Sequence, residues 1–182
     1  MPRISMRAAG LGLLLSLGGT LAQAAGPEDT LLLELKDGTV VIELFPQLAP
    51  RHVARIKELT RQGYYDGKTW HRVIAGFMAQ TGSPTGDGRG GTGHRLVAEF
   101  SGEKHVRGIA SMARTSDPDS ADAQFFIMLA PAPHLDGSYT VWGRVVSGME
   151  FVDNIKKGER ANNGMVVDPD RIVSMKVQAD LP

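Results

Sequence analysis

Residues 30–45, TLLLELKDGTVVIELF, decide the fold. Two runs alternate apolar and polar side chains, TLLLEL at 30–35 and TVVIELF at 39–45, and Lys36-Asp37-Gly38 sits between them. An Asp-Gly step flanked in this way is a strong β-hairpin signal. Further strand-like runs follow at RGIASMA (107–113), QFFIMLA (124–130), YTVWGRVV (139–146) and RIVSMKV (171–177), with turn-forming residues between them. Helical spacing occurs twice. In APRHVARIKELTRQG (49–63), Pro50 suits a first helical position, Val53, Ile56 and Leu59 share a face, and Gly63 marks a stop. In GMEFVDNIKKG (148–158), Met149, Val152 and Ile155 recur three apart. Many short strands with only two helices predict an antiparallel barrel or sandwich rather than an α/β sheet.

The chain has 182 residues, 42% of them hydrophobic, which is enough for one domain with a proper core. There is no internal repeat, linker or low-complexity tail. The first residues, MPRISMRAAGLGLLLSLGGTLAQAAG, carry Arg3 and Arg7, then an apolar stretch from Leu11 to Leu21, then Ala22-Gln23-Ala24. This is the three-part pattern of a secretory signal peptide. Its apolar part is shorter than the roughly 20 residues a membrane span needs. The expected organisation is a cleavable signal peptide at 1–24 and a folded domain at 25–182, exported to the periplasm or secreted, with no membrane association after cleavage. Cleavage after Ala25 is the alternative.

Charge and cysteine content exclude several function classes. Basic and acidic residues number 20 each, and losing Arg3 and Arg7 with the signal leaves a slight acidic excess. A partner held through nucleic-acid phosphates would call for a basic domain. The chain has no cysteine, which removes disulfides, thiolate metal sites, thiol nucleophiles and lipid attachment at a processed cysteine. Residues 86–91, GDGRGG, match the dinucleotide fingerprint formally, but neither the preceding strand nor the following helix that the mechanism requires is predicted. Ser101-Gly102-Glu103-Lys104 matches S-x-x-K, yet its companion motifs are missing, so Ser101 reads as a strand-edge serine. His52, His71, His94, His105 and His134 show no metal-ligand spacing and read as solvated or hydrogen-bonded side chains.

One stretch resists a bland reading: TWHRVIAGFMAQTG at 69–82 puts Arg72 into a strand-like apolar run. A guanidinium keeps its charge, so this residue is either half of a structural ion pair or part of a site. Here the chain resembles the cyclophilin family of peptidyl-prolyl cis-trans isomerases. The resemblance rests on WHRVIAGFMAQTG, on GIASMAR (108–114), on AQFFIMLAPAPHLDGSYTVWGRV (123–145) and on GMEFVDNI (148–155), in the family's order, and covers about residues 28–178. It implies a mainly β fold, a closed eight-stranded antiparallel barrel capped by two helices. It also implies that Arg72 is the catalytic arginine and Gln80 a substrate-contacting glutamine. Phe77, Met78, Phe126 and Leu135 would form the proline pocket, with Ala113, Arg114 and Gln124 in the groove beside it and Tyr139 at the rim.

The residue chemistry fits rotation about an X-Pro bond. The uncatalysed barrier is about 20 kcal/mol and arises from amide conjugation. Twisting returns a lone pair to the proline nitrogen, to which a fixed guanidinium can donate. A glutamine amide can hold the preceding carbonyl, and an apolar slot can hold the ring. No nucleophile or cofactor is required. His134 stands where the best-known eukaryotic members have a tryptophan that helps bind cyclosporin, so weak cyclosporin binding is expected. Arg114 replaces an asparagine and Tyr139 a histidine. The expected partners are proline-containing unfolded or partly folded exported polypeptides, bound by a monomer. The rivals are a catalytically idle binding module of the same fold and, more distantly, a cell-wall acyl enzyme acting through Ser101.

Overall fold

The Asp-Gly hairpin forms as expected, with β1 (Thr30–Leu35) and β2 (Gly38–Leu44) pairing antiparallel from Thr30↔Glu43 to Leu35↔Gly38. Gly38 is required by a close approach, since a Cβ there would lie 2.6 Å from the Phe151 ring. The computed structural model describes residues 25–182; the expected signal segment, 1–24, lies outside the described residues. Among the described residues no helix is long and apolar enough to cross a membrane.

The remaining elements are α1 (Pro50–Arg61), β3 (Arg72–Ile74), β4 (Met78–Thr81), β5 (Ile109–Met112), β6 (Phe125–Met128), β7 (Val141–Ser147), α2 (Met149–Asp153) and β8 (Ser174–Val177). All eight strands join one antiparallel sheet in the order β3-β4-β6-β5-β7-β2-β1-β8, which curls on itself. Eight antiparallel strands and two helices are as expected, but "closed" overstates the barrel. The end strands β3 and β8 share no ladder. The seam between them is an isolated bridge, Thr69↔Arg171, with Trp70 N–H on Asp170 O at 2.9 Å and Ile172 N–H on Lys68 O at 2.9 Å. Segment 158–166 covers the free edge of β3 through Val73 N–H to Gly164 O (2.8 Å) and Gly158 N–H to Val73 O (2.9 Å). Asn163, Gly164 and Asp168 have positive φ, a conformation that cannot continue a strand, so no ladder forms there.

Three local expectations are corrected. The strand-like run around Arg72 is broken into the two strands of a hairpin, because Ala75-Gly76-Phe77 turn the chain with Gly76 at φ +70°. The second helix is a five-residue piece that stops at Asp153, although Ile155 beyond it remains buried. Ser101 lies in the loop between β4 and β5, where its Oγ accepts from Glu103 N–H, and not at a strand edge. Within that loop Leu96 makes an isolated bridge to Ala121, and GDGRGG is followed by no helix.

Pleating divides the buried side chains into two sets. Val73, Ala79, Ala110, Met112, Phe125 and Ile127 belong to the barrel interior, together with Leu31, Leu33, Ile42, Trp70 and Trp142. Their strand neighbours Ile74, Met78, Ile109, Phe126 and Met128 form a second apolar cluster on the opposite face, with Phe45, Leu135 and Val141. Both faces of β6 are therefore covered, which explains why all four of its residues are buried.

Helix α1 buries His52, Val53, Ile56 and Leu59 against one end of the sheet. Ala49 at its N-cap offers no side-chain acceptor. The role passes to Glu99, far along the chain, whose carboxylate accepts from the N–H groups of Arg51 and His52 and lies 2.7 Å from His52 Nδ1. Burial raises the Glu99 carboxyl, but the His52 ring and these two N–H groups outweigh it and hold the group below the ordinary 4.5. Such a depressed carboxyl stabilises above its unfolded pKa, and the contribution is lost as pH falls through the lower folded value. Glu99→Gln is expected to cost about 1–2 kcal/mol at pH 7 in urea unfolding. The difference from the parent should shrink below pH 4.5. A gap that persisted unchanged at pH 3 would show that shape rather than charge matters there.

Candidate active site

The pleat of the β3–β4 hairpin does the first placing. Arg72 and Gln80 are direct cross-strand partners and Ile74 faces Met78, so all four share one side while Val73 and Ala79 turn inward. On β6, Met128 and Phe126 lie opposite Met78 and Gln80. Phe77, at the turn, is fixed by its N–H on Ile74 O (3.0 Å) and by Leu129 N–H on its carbonyl (2.8 Å). Leu135 arrives on a short 3-10 turn, Pro133–Leu135.

These elements enclose a cavity of about 300 Å³ lined by Arg72, Phe77, Met78, Gln80, Ala113, Arg114, Phe126, His134, Leu135 and Tyr139. The floor is apolar and buried, while Arg72 and Gln80 are half-buried at one side. Every site residue expected from the sequence lines it except Gln124, which lines a second cavity of about 380 Å³ that shares Gln80, Ala113 and Arg114 with the first. His134 is exposed at the rim, its ring 5.7 Å from that of Phe77. Arg114 lies over the Tyr139 ring at 4.5 Å and donates to Ser138 O (2.9 Å) and Thr115 O (2.8 Å). It is thus a fixed wall rather than a free cation.

Arg72 has no carboxylate partner among the described residues. Its Nε donates to Asn163 O (3.0 Å), Nη2 to Asn163 Oδ1 (3.0 Å) and Nη1 to Gln80 Oε1 (3.2 Å), with Met78 Sδ at 3.7 Å. Burial pulls the guanidinium below the usual arginine value, partly opposed by Tyr139. It stays charged at neutral pH, since arginine titrates far above it. The ion-pair reading of Arg72 therefore fails, because neutral acceptors orient the cation without cancelling its charge.

Residues 30–177 match the family described as "Cyclophilin type peptidyl-prolyl cis-trans isomerase/CLD". The chain belongs to the cyclophilins. A Brucella suis protein named "Probable peptidyl-prolyl cis-trans isomerase" is 51% identical over 179 residues, spanning 91% of each chain. Peptidyl-prolyl cis-trans isomerase B of Bacillus subtilis is 44% identical over 69% of this chain and 89% of its own. Among solved structures, a cyclophilin from Hirschia baltica superposes with a TM-score of 0.78 at 29% identity, covering 88% of this chain and 77% of that one. A Cryptosporidium parvum cyclophilin crystallised in the presence of the dipeptide Ala-Pro gives 0.74 at 29% identity, over 81% and 98%.

The histidines of this cyclophilin are mostly as expected. His94 and His134 are exposed, and His52 and His105 are buried on Glu99 and on Asp136 and Ser111. His71 departs, since it is buried with both ring nitrogens unpartnered among the described residues, and its burial favours the neutral ring. No group of three or more His, Cys, Asp or Glu side chains among the described residues could hold a metal ion.

Sequence reasoning missed Asn163. Its φ of 53° aims both its carbonyl and its side-chain oxygen at Arg72, and the only signal was an Asn-Gly turn with nothing linking it to position 72. Glycine adopts the same backbone freely and keeps the carbonyl, so Asn163→Gly deletes only the Oδ1 bond. We expect kcat to fall about threefold to tenfold with KM little changed. A raised KM with unchanged kcat would mean that Asn163 touches substrate instead of holding Arg72.

Proposed function

We propose that this peptidyl-prolyl cis-trans isomerase acts on proline-containing segments of exported, incompletely folded polypeptides, with Arg72 and Gln80 carrying the chemistry. The observation that supports this best is the uncompensated Arg72 guanidinium, held by neutral acceptors at the edge of an apolar cavity. Binding alone would be served by the apolar floor, whereas an oriented cation is useful only where charge or a lone pair develops.

In the planar ground state the proline nitrogen shares its lone pair with the carbonyl and accepts hydrogen bonds poorly. As the bond twists, conjugation is lost and the nitrogen becomes an acceptor. One Nη2–H of Arg72, beyond the one on Asn163, is free to meet it. Gln80 holds the carbonyl oxygen before proline through its remaining N–H, and Phe77, Met78, Phe126 and Leu135 grip the pyrrolidine ring. One side of the bond is fixed while the other turns, and no bond is made or broken. An acceleration of 10⁵ would require about 7 kcal/mol of transition-state stabilisation, which a charge-assisted hydrogen bond, desolvation and orientation can supply together.

The test is the cis-to-trans rate of a short X-Pro peptide with the purified protein, read by a conformer-selective protease. Absence of acceleration would favour an idle binding module of the same fold. In the same assay cyclosporin should inhibit weakly, since the exposed His134 ring offers far less apolar area than an indole; submicromolar inhibition would refute this. Export rests on the first 24 residues, and an N-terminus at Ala25 or Gly26 on protein recovered from the periplasm or medium would support it. Recovery of intact, uncleaved chain from cytoplasm would count against it.

A further inference from the structure

Gln124 stands apart from the other site residues, because it lines the second cavity and not the first. Hydrogen bonds run in series through it. Arg72 Nη1–H donates to Gln80 Oε1 (3.2 Å), Gln80 Nε2–H to Gln124 Oε1 (3.1 Å), and Gln124 Nε2–H to the carbonyls of Gly88 (3.0 Å) and Gly90 (2.9 Å). The direction of this chain is forced at both ends. A guanidinium only donates and a peptide carbonyl only accepts, so neither glutamine amide can flip without breaking a bond on each side. Both Nε2 protons of Gln124 are spent on the loop, which leaves it no donor for substrate. Gln80 keeps one.

The far anchor is well built. Ser83 Oγ accepts from the N–H groups of Gly86 and Gly88 and donates to Arg89 O, so the loop is braced on its inner side. The Asp122 carboxylate accepts from the N–H groups of Thr92, Gly93 and His94 just beyond. Gly88 and Gly90 take φ of 82° and 70°, which sets the direction of the two carbonyls. Gly88, Arg89 and Gly90 also wall the second cavity, so a peptide lying there touches the same segment that holds Gln124.

We propose that Gln124 is a positioning residue that ties the Gln80 amide to the glycine-rich loop 86–91, so that loop geometry sets how Gln80 and Arg72 meet the rotating bond. The inference rests on the roles given to Arg72 and Gln80 above. Its consequence is that occupancy of the second cavity alters the rate of rotation and not affinity alone.

The test compares the parent, Gln124→Met, Gln124→Glu and Arg72→Ala. Methionine has similar volume but neither donates nor accepts usefully, while glutamate can accept from Gln80 yet repels the Gly88 and Gly90 carbonyls. Both are expected to lower kcat about tenfold with KM within about twofold. In NMR spectra, the Gln80 side-chain amide and the Gly88–Gly90 amides should shift together in both variants. In the parent, both Gln124 Nε2 protons should exchange slowly with water. An unchanged kcat in Gln124→Met, or a raised KM alone, makes Gln124 an ordinary contact and overturns the proposal. Fast exchange of the parent's Gln124 amide does the same without depending on any variant's folding. If Arg72→Ala keeps full activity, the failure belongs instead to the assignment of the reaction to this site.

Discussion

Arg72→Ala is expected to lower kcat/KM for X-Pro isomerisation by about 10²–10³, corresponding to roughly 3–4 kcal/mol of lost transition-state stabilisation. Affinity for a proline-containing peptide should change far less, because the apolar floor of Met78, Phe126 and Leu135 is untouched. Folding should also survive, since Arg72 is half-buried and its partners on Asn163 and Gln80 can turn to water. Arg72→Lys should be nearly as damaging. An ammonium keeps the charge but cannot hold Asn163 O, Asn163 Oδ1 and Gln80 Oε1 in one plane, so it loses the orientation that makes the charge useful. Protease-coupled rates beside peptide titrations would separate the two quantities. If the alanine variant retained activity while the lysine variant lost it, steric fit and not charge would govern the reaction.

The largest effect on stability is expected at Phe125. Its ring is wholly buried and meets Tyr65 and Trp142 at 5.3 Å and Trp70 at 6.2 Å, all edge-on. Edge-to-face contacts of this kind contribute beyond area burial, and the surrounding rings are pinned by other contacts, such as Tyr65 Oη on Ala123 O at 2.9 Å. They cannot collapse into the space left behind, so Phe125→Ala should cost about 3–5 kcal/mol. That is a large part of the 5–15 kcal/mol typical of a domain. Urea unfolding followed by fluorescence of the two adjacent tryptophans would read it directly. A loss below about 1.5 kcal/mol would mean that the cluster rearranges around the gap.

What could be read in advance followed local rules. The first hairpin, the face of α1 and the strands β5 to β8 were legible because Asp-Gly turns, period-two alternation and helical spacing act over a few residues. The turn inside the strand-like Arg72 stretch is hard to see because apolar residues lie on both sides of Gly76 and a glycine is its only mark. The cavity residues were legible through resemblance and not through periodicity, since Met78 and Phe126 look like ordinary core positions. What escaped entirely was set by distant contacts. Glu99 caps a helix that begins at Pro50, and Asn163 grips Arg72 from a loop far along the chain. Neither a cap lent by another segment nor a left-handed asparagine leaves a periodic trace. The open seam was likewise invisible, because it depends on where positive-φ residues fall between two short strands.

The two-faced sheet has a bearing on how such an enzyme can change. Along β4 and β6, consecutive residues answer to different constraints: Ala79, Phe125 and Ile127 serve the barrel interior, while Met78, Gln80, Phe126 and Met128 serve the cavity or the cluster beneath it. With the cavity as the proposed peptide site, substrate preference and thermal robustness are written in alternate letters of the same short strands. Selection or design can revise one set while leaving the other unread, and a screen that varied only the even-numbered positions 78 and 126 would explore new peptide tastes on a scaffold whose interior had not moved.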